Sequence, residues 1–391
     1  MIGISKLYAG TVEASDPLRY GRLSKNLPSH LLQFSVDKKP VVVWNVTSRC
    51  NLKCEHCYAA VSSPQPELDG EQARAVIDDL AAFGVPVVLF SGGEPFVRPD
   101  IFELAEYAAS KGLRVVFSTN GTLIDDAAAD RIARIGVSYV GISMDGMERV
   151  HDSFRGVPGA FAASVDAIRR CRDRGIKVGL RVTITGGNVD EIPAIFDFME
   201  RERIPRICLY HLVYCGRGAE IMDIDLDSER RRKTVRYIMD RTKKMHENGF
   251  PAEVLTVDNH CDGPFLYLQM KADGDPRAEE VWKLLQMNGG NSTGLGIACI
   301  GWDGTVYPDQ FWRNHPLGNV LERPFSEIWG NPPEGSLLAQ LRTRKSLLQG
   351  RCTRCRFLNI CNGNFRARAE AASGSMWGDD PACYLADEEI F

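Results

Sequence analysis

Between residues 40 and 247 the chain alternates short runs rich in Val, Ile and aromatics with longer amphipathic runs. The strand-like runs cover residues 41–44, 87–90, 114–118, 139–143, 178–183 and 207–212, most of them bounded by Gly, Pro or Asn. Helical patterns cover 70–83, 100–111, 125–135, 161–174, 189–203 and 228–247. Val76, Ile77, Leu80 and Phe83, for instance, mark one buried stripe. Regular βα alternation demands a parallel sheet with helices outside it. A further helical run, 278–287, leads into the Gly- and Asn-rich stretch 288–296. That stretch neither follows a strand nor opens a helix, so it fits no phosphate loop. Beyond it lies a short region rich in Cys, Gly, Trp and Arg, which needs metal to hold it together. The expected organisation is an N-terminal extension over 1–39, a core over 40–287 and a C-terminal domain over 288–391. In the extension, Ile4, Leu7, Tyr8, Leu18, Tyr20, Leu27, Leu31 and Phe34 are costly to leave in water. It should therefore pack on the core, either over the substrate or as a cap on an open barrel.

The chemistry should lie in the cysteines. The chain carries twelve of them in 391 residues. It has no apolar stretch of ~18 residues and no basic-then-apolar leader, so a cytoplasmic location is expected. In that reducing setting cysteines point to metal sooner than to disulfides. A net charge of −4 gives no electrostatic reason to bind nucleic acid or a membrane surface. Cys50-Asn51-Leu52-Lys53-Cys54-Glu55-His56-Cys57 opens the loop after the first strand. Three thiolates spaced this way fit three corners of a cuboidal iron–sulfur cluster, leaving one iron free to bind a small molecule. A zinc site or three buried core cysteines are the plainer readings. A second set, Cys352-x2-Cys355-x5-Cys361 with Cys383, suits a cluster or a four-Cys zinc. Loops after three later strands, Ser91-Gly92-Gly93-Glu94-Pro95, Ser118-Thr119-Asn120-Gly121 and Ser143-Met144-Asp145-Gly146, suit a zwitterionic nucleoside, although each is also an ordinary turn sequence. Glycines there admit close backbone approach, and Glu94 can accept a hydrogen bond from an ammonium group.

Taken together these motifs resemble the radical S-adenosylmethionine (SAM) superfamily. The resemblance implies an α/β fold, a partial (β/α)6 TIM barrel, with active-site loops at the carboxyl ends of its strands. It implies that Cys50, Cys54 and Cys57 hold a [4Fe–4S] cluster whose open iron chelates SAM. An electron from the cluster then cleaves the sulfonium to a hydrogen-abstracting 5′-deoxyadenosyl radical. Gly92, Gly93 and Glu94 match the motif that holds the SAM amino group. Ser143 matches a residue at the ribose or carboxylate end, and Arg155 an arginine that pairs with the carboxylate, a role suited to a forked guanidinium. His56 stands where an aromatic lies beside adenine, acting mostly through its backbone. Ser118, Asn120 and Asp145 complete the expected SAM-binding loops.

The C-terminal set resembles a SPASM auxiliary-cluster domain, with departures. Phe365 and Asp309 stand where that pattern has cysteines. One auxiliary [4Fe–4S] cluster is therefore expected, on Cys352, Cys355, Cys361 and Cys383, with Cys299 as the substitute ligand. Cys171, Cys208, Cys215 and Cys261 read as core or loop thiols. The segments Ile4–Tyr8, Asp16–Gly21, Val41–Thr47, Pro308–His315 and Cys361–Arg368 narrow the likeness to tetrapyrrole-modifying radical SAM enzymes of the siroheme-dependent haem pathway. That implies removal of two acetate chains from didecarboxysiroheme to give iron-coproporphyrin III. It also implies a low-potential electron donor such as a ferredoxin or flavodoxin. Removal of propionates in haem d1 biosynthesis, or peptide and protein maturation, are the alternatives. An anionic macrocycle needs cations for its carboxylates and aromatics for its faces. Trp312, Arg313, His315, Arg366, Arg368 and Trp377 are the candidates, unless Trp312 packs a small core and the arginines pair locally.

Overall fold

The computed structural model describes residues 1–10, 12, 16, 23, 27, 32, 35, 37, 39–61, 63 and 65–391. Its sheet begins with a short strand, β1 (Ile2–Gly3). All six strands expected from the sequence follow: β2 (Val41–Asn45), β3 (Val87–Ser91), β4 (Arg114–Thr119), β5 (Tyr139–Ser143), β6 (Val178–Ile184) and β7 (Arg206–His211). They lie side by side in sequence order, each parallel to the next.

Two strands absent from the sequence reading extend the wall. β8 (Glu253–Val257) pairs parallel with β7, and β9 (Ile297–Ile300) pairs parallel with β2. Both are short apolar runs beside turn residues, too brief to show a period. β10 (Thr305–Tyr307) and β11 (Gly318–Asn319) continue antiparallel from β9, so one sheet runs on past residue 288.

Local chemistry sets the helix ends. Asp69 accepts from the backbone N–H groups of Glu71 and Gln72, while Gln72 returns a bond to Asp69, closing a capping box ahead of the helix Gly70–Phe83. Gly84, at φ +83°, ends that helix in the left-handed conformation a glycine takes without strain. Ala73, Val76, Ile77 and Leu80 are buried in the main core; each of the larger three contributes roughly 1.5–3 kcal/mol by leaving water. The helix Glu148–Arg155, not assigned from sequence, carries Arg155 on its last turn.

The N-terminal extension packs as expected where it is described. β1 pairs antiparallel with β8, and Ile2, Ile4 and Leu7 are buried. Leu27 and Leu32 pack on Val87, Val116 and Tyr139. Leu18, Tyr20, Leu31 and Phe34 lie outside the described residues. Among the described residues no helix is long and apolar enough to cross a membrane.

Candidate functional site

The cysteine loop leaves the carboxyl end of β2 and is tied down by the loop after β3. Gly93 N–H donates to Thr47 O (2.8 Å) and Glu94 N–H to Arg49 O (2.9 Å). A Cβ on Gly92 would stand 2.5 Å from Thr47 O, and one on Gly93 would collide with Arg49 O. The glycine pair thus lets two loops meet, besides bordering the cavity described below.

Glu94 does other work than the sequence suggested. Its carboxylate accepts from Thr119 Oγ1 (2.7 Å), Asn120 N–H (2.8 Å) and Phe96 N–H (3.2 Å). Burial outweighs these donors and pushes the carboxyl up to about 7. Glu94 therefore straps the ends of β3 and β4 together, and the backbone of Gly92 and Gly93 is what faces the cavity.

Arg155 is also committed. It forms a buried ion pair with Asp145, which accepts in addition from Thr183 N–H (2.9 Å), and its Nη1 donates to Cys54 Sγ (3.4 Å). Burial opposes the charge on Asp145, yet Arg155 beside it holds that carboxyl below its usual range. So the arginine expected on a SAM carboxylate reaches the Cys54 thiol and an aspartate. His56 stacks on Phe154 with ring centres 4.6 Å apart, and burial holds it neutral, down to about 4.

Sequence reasoning missed Arg217. Its Nε donates to Cys54 O (2.7 Å) and its N–H to Cys57 O (3.0 Å), bracing the cysteine loop from the end of β7. The only signal was Gly216-Arg217-Gly218, where a Cβ at 216 would strike Cys57 O.

Cys50, Cys54 and Cys57 all face a cavity of about 710 Å³ that runs into the barrel. Ser118, Asn120 and Ser143 border it, joined by Tyr58, Arg181, Tyr210 and Asp258. Asn120 also donates to Asn51 Oδ1 (2.9 Å). Asp258 sits at a left-handed φ of +64° with one carboxylate oxygen unpartnered, and burial pushes it up to about 7.

Cys352, Cys355, Cys361 and Cys383 come within electrostatic reach of one another, half-buried, away from this cavity. Gly290 packs on Cys361 O, and Asn291 N–H donates to that oxygen (3.1 Å). Cys261, read as a core or loop thiol, lies beside Cys383. Cys299 instead accepts from Asn45 Nδ2 (3.6 Å) on β2. Where the SPASM pattern has a cysteine, Asp309 accepts from Thr293 Oγ1 (2.6 Å), Phe311 N–H (2.9 Å) and Trp312 N–H (3.1 Å). Phe365, at the other departure, packs edge-on against Phe311 at 5.5 Å. Hydrogen bonds hold Asp309, and apolar packing holds Phe365, at the two departures from that pattern.

The residues suggested for the macrocycle are turned elsewhere. Trp312 is buried and donates to Glu370 (2.5 Å), whose carboxylate also holds His315 (2.8 Å). Arg313 stacks over Trp302 at 3.9 Å, and Trp377 packs beside Trp312 and Phe365. Arg366 donates to the carbonyls of Gly363, Met376 and Gly378. Arg368 grips Asp380 (2.8 and 2.9 Å) and the carbonyls of Leu212 and Asp258. None of the six borders the cavity. A buried guanidinium seeks acceptors nearby, and here the chain's own oxygens take all of the Arg368 nitrogens and the two Nη atoms of Arg366, whose Nε is left without a partner.

Each thiol set suits an iron–sulfur cluster. Cys50 Sγ accepts from Leu52 N–H (3.4 Å) and Cys54 Sγ from Arg155, the donors that stabilise thiolate sulfur. Among the described residues no three Cys, His, Asp or Glu groups close around a single metal ion. A cluster asks only that sulfurs ring a common space, one to each iron.

Comparison with known proteins agrees. Residues 44–199 match the Radical SAM superfamily, and residues 293–356 match SPASM, an iron–sulfur cluster-binding domain. Fe-coproporphyrin III synthase of Methanosarcina barkeri is 60% identical, over 100% of this chain and 99% of its own length. Pre-heme d1 synthase of Dinoroseobacter shibae is 42% identical over 90% of this chain and 87% of its own. Among solved structures, SuiB of Streptococcus suis bound to the precursor peptide SuiA superposes with a TM-score of 0.71 at 17% identity, covering 89% of this chain and 76% of SuiB. For anSMEcpe with bound AdoMet the values are 0.67, 20%, 88% and 94%. These two show the fold. The chain belongs to the radical SAM superfamily, and within it to the SPASM-bearing tetrapyrrole-modifying enzymes. Its cofactors are SAM, a SAM-binding [4Fe–4S] cluster and auxiliary iron–sulfur.

Proposed function

We propose that this enzyme removes two acetate side chains from didecarboxysiroheme, giving iron-coproporphyrin III. The observation that carries the reading is the 60% identity, end to end, with a protein named Fe-coproporphyrin III synthase. In this reading residues 1–39 cover the barrel, 40–287 form the catalytic core and 288–391 the auxiliary domain. Cys50, Cys54 and Cys57 hold the SAM-binding cluster, and Cys352, Cys355, Cys361 and Cys383 the auxiliary one. Bound there, SAM and the first cluster supply a hydrogen-abstracting radical. The chain's own part is placement. Arg217 and the Gly92-Gly93 loop fix the cysteine loop over the cavity, and Arg155 donates to the Cys54 sulfur. Ser118, Asn120 and Ser143 offer polar contacts to SAM on the cavity wall. Tyr58 and Phe311, 5.2 Å apart at the same cavity, supply ring faces for a macrocycle. The enzyme works in the cytoplasm with a low-potential donor such as a ferredoxin or flavodoxin.

The test is anaerobic incubation of reconstituted protein with SAM, reductant and didecarboxysiroheme, followed by mass analysis. Loss of two acetates is the expected result. The 42% identity with Pre-heme d1 synthase supports a second reading, for which propionates would be lost instead. Deoxyadenosine release with the macrocycle untouched contradicts both.

A further inference from the structure

Among the described residues four arginines border the barrel cavity, and three of them have partners. Arg155 pairs with Asp145, Arg206 with Glu253 (3.5 Å), and Arg217 donates to Cys54 O. The fourth is Arg181, in the middle of β6. Among the described residues it has no hydrogen bond or ion pair. Its guanidinium stacks over the Tyr210 ring, 4.6 Å from the centroid. Asp258 is near enough to feel its charge, yet forms no bond with it. An unpaired guanidinium on a low-dielectric wall is expensive and draws an anion.

The fold makes room for this side chain. Gly141 on β5 has an ordinary strand φ, so conformation does not require glycine there. A Cβ at 141 would stand 2.7 Å from Arg181 Cδ and 3.2 Å from Cγ. Glycine inside a strand weakens the sheet and marks a close approach. Here what approaches is the Arg181 stem, crossing the next strand toward the barrel axis. In register, Arg181 pairs with Ser143 on one side and Cys208 on the other, both on the cavity wall.

We infer that Arg181 binds a side-chain carboxylate of the tetrapyrrole substrate, drawing that arm of the macrocycle into the barrel below the cysteine loop. This rests on the tetrapyrrole reading above and adds a residue that fixes the orientation of the ring. The SAM carboxylate has the same chemistry, so the experiment must separate the two sources.

The reconstituted full-length enzyme and its Arg181→Gln, Arg181→Lys and Gly141→Ala variants are titrated with iron-coproporphyrin III and with its tetramethyl ester, followed by Soret absorbance. SAM binding is measured in parallel by equilibrium dialysis. Expected is a loss of about ten-fold or more in free-acid affinity for Arg181→Gln, with Arg181→Lys recovering part of it. The ester should bind wild type and Arg181→Gln within about two-fold, because it offers no carboxylate for the guanidinium to lose. SAM affinity should stay unchanged. Gly141→Ala keeps the charge but displaces the stem, and should weaken free-acid binding several-fold; it carries the test if Arg181→Gln does not fold. Equal free-acid affinity in all variants overturns the inference, and so does a loss confined to SAM. Wild type that binds no iron tetrapyrrole contradicts the proposed function itself, whereas wild type that binds while Arg181→Gln binds equally contradicts only this assignment.

Discussion

Cys50, Cys54 and Cys57 line the barrel cavity, whereas none of Cys352, Cys355, Cys361 and Cys383 touches it. The first set offers three sulfurs beside a space of about 710 Å³; the second offers four in a half-buried nest of short helices and turns. Ligand count and access separate the two roles. Three sulfurs beside a cavity leave an iron for a small molecule to reach. Four sulfurs away from it, in the proposed assignment, would complete a cluster that can only pass electrons or hold the chain together. The surroundings differ accordingly: Arg155 and Arg217 brace the first loop, while Gly290 and Asn291 clamp the second.

The largest effect should come from the barrel side. Replacing Cys50, Cys54 and Cys57 together by Ala should cut deoxyadenosine formation by about a thousand-fold or more, a barrier change of ~4 kcal/mol. About four irons per chain should remain. Cys352→Ala with Cys361→Ala should break the symmetry the other way. Iron should fall from about eight to about four per chain, SAM cleavage should persist, and product formation should drop roughly 10–100-fold. Wild-type protein with about four irons and one zinc per chain would mean a structural zinc at that site instead.

Arg155→Met tests whether the barrel loop depends on its buried ion pair. Asp145 would be left charged and unpaired at 0% side-chain exposure, so a cost of about 3–5 kcal/mol should show in chemical denaturation. The smallest effect concerns His151, which accepts from Asp145 N–H through Nδ1 (3.2 Å) and is held neutral by burial, down to about 4. The unfolded chain takes up this proton near 6.5 and the folded one only near 4. Stability is therefore full above about 6.5 and falls as pH drops toward 4. His151→Asn, which can still accept at the Nδ1 position, should flatten that part of the pH–stability curve by about one proton.

Much of this was legible in the sequence, for local reasons. Each end of the six expected strands falls within one residue of its predicted place, because a half-buried strand or helix writes its period into neighbouring residues. The two cysteine sets stood out because their spacing is a local property of the chain. Side-chain partners were not. Glu94 and Arg155 occupy positions a motif can find, but Thr119 and Asp145 claim them through loops that only the folded sheet brings together. Arg366 and Arg368 read as cations for the macrocycle's carboxylates unless paired locally, yet carbonyls from Leu212 and Asp258, remote in sequence, help to bury Arg368. Arg181 gave no signal, since an arginine among alternating strand residues reads as solvent-facing until the sheet closes around it.

One experiment addresses the central claim directly. Electron paramagnetic resonance spectra of reduced protein are recorded with and without SAM, in the Cys352→Ala/Cys361→Ala variant and in the barrel triple variant. If the barrel sulfurs hold an iron that SAM reaches, SAM should shift the signal of the first variant and leave that of the second unmoved. A SAM-induced shift in the triple variant, or none in the other, would contradict the assignment of chemistry to the barrel loop.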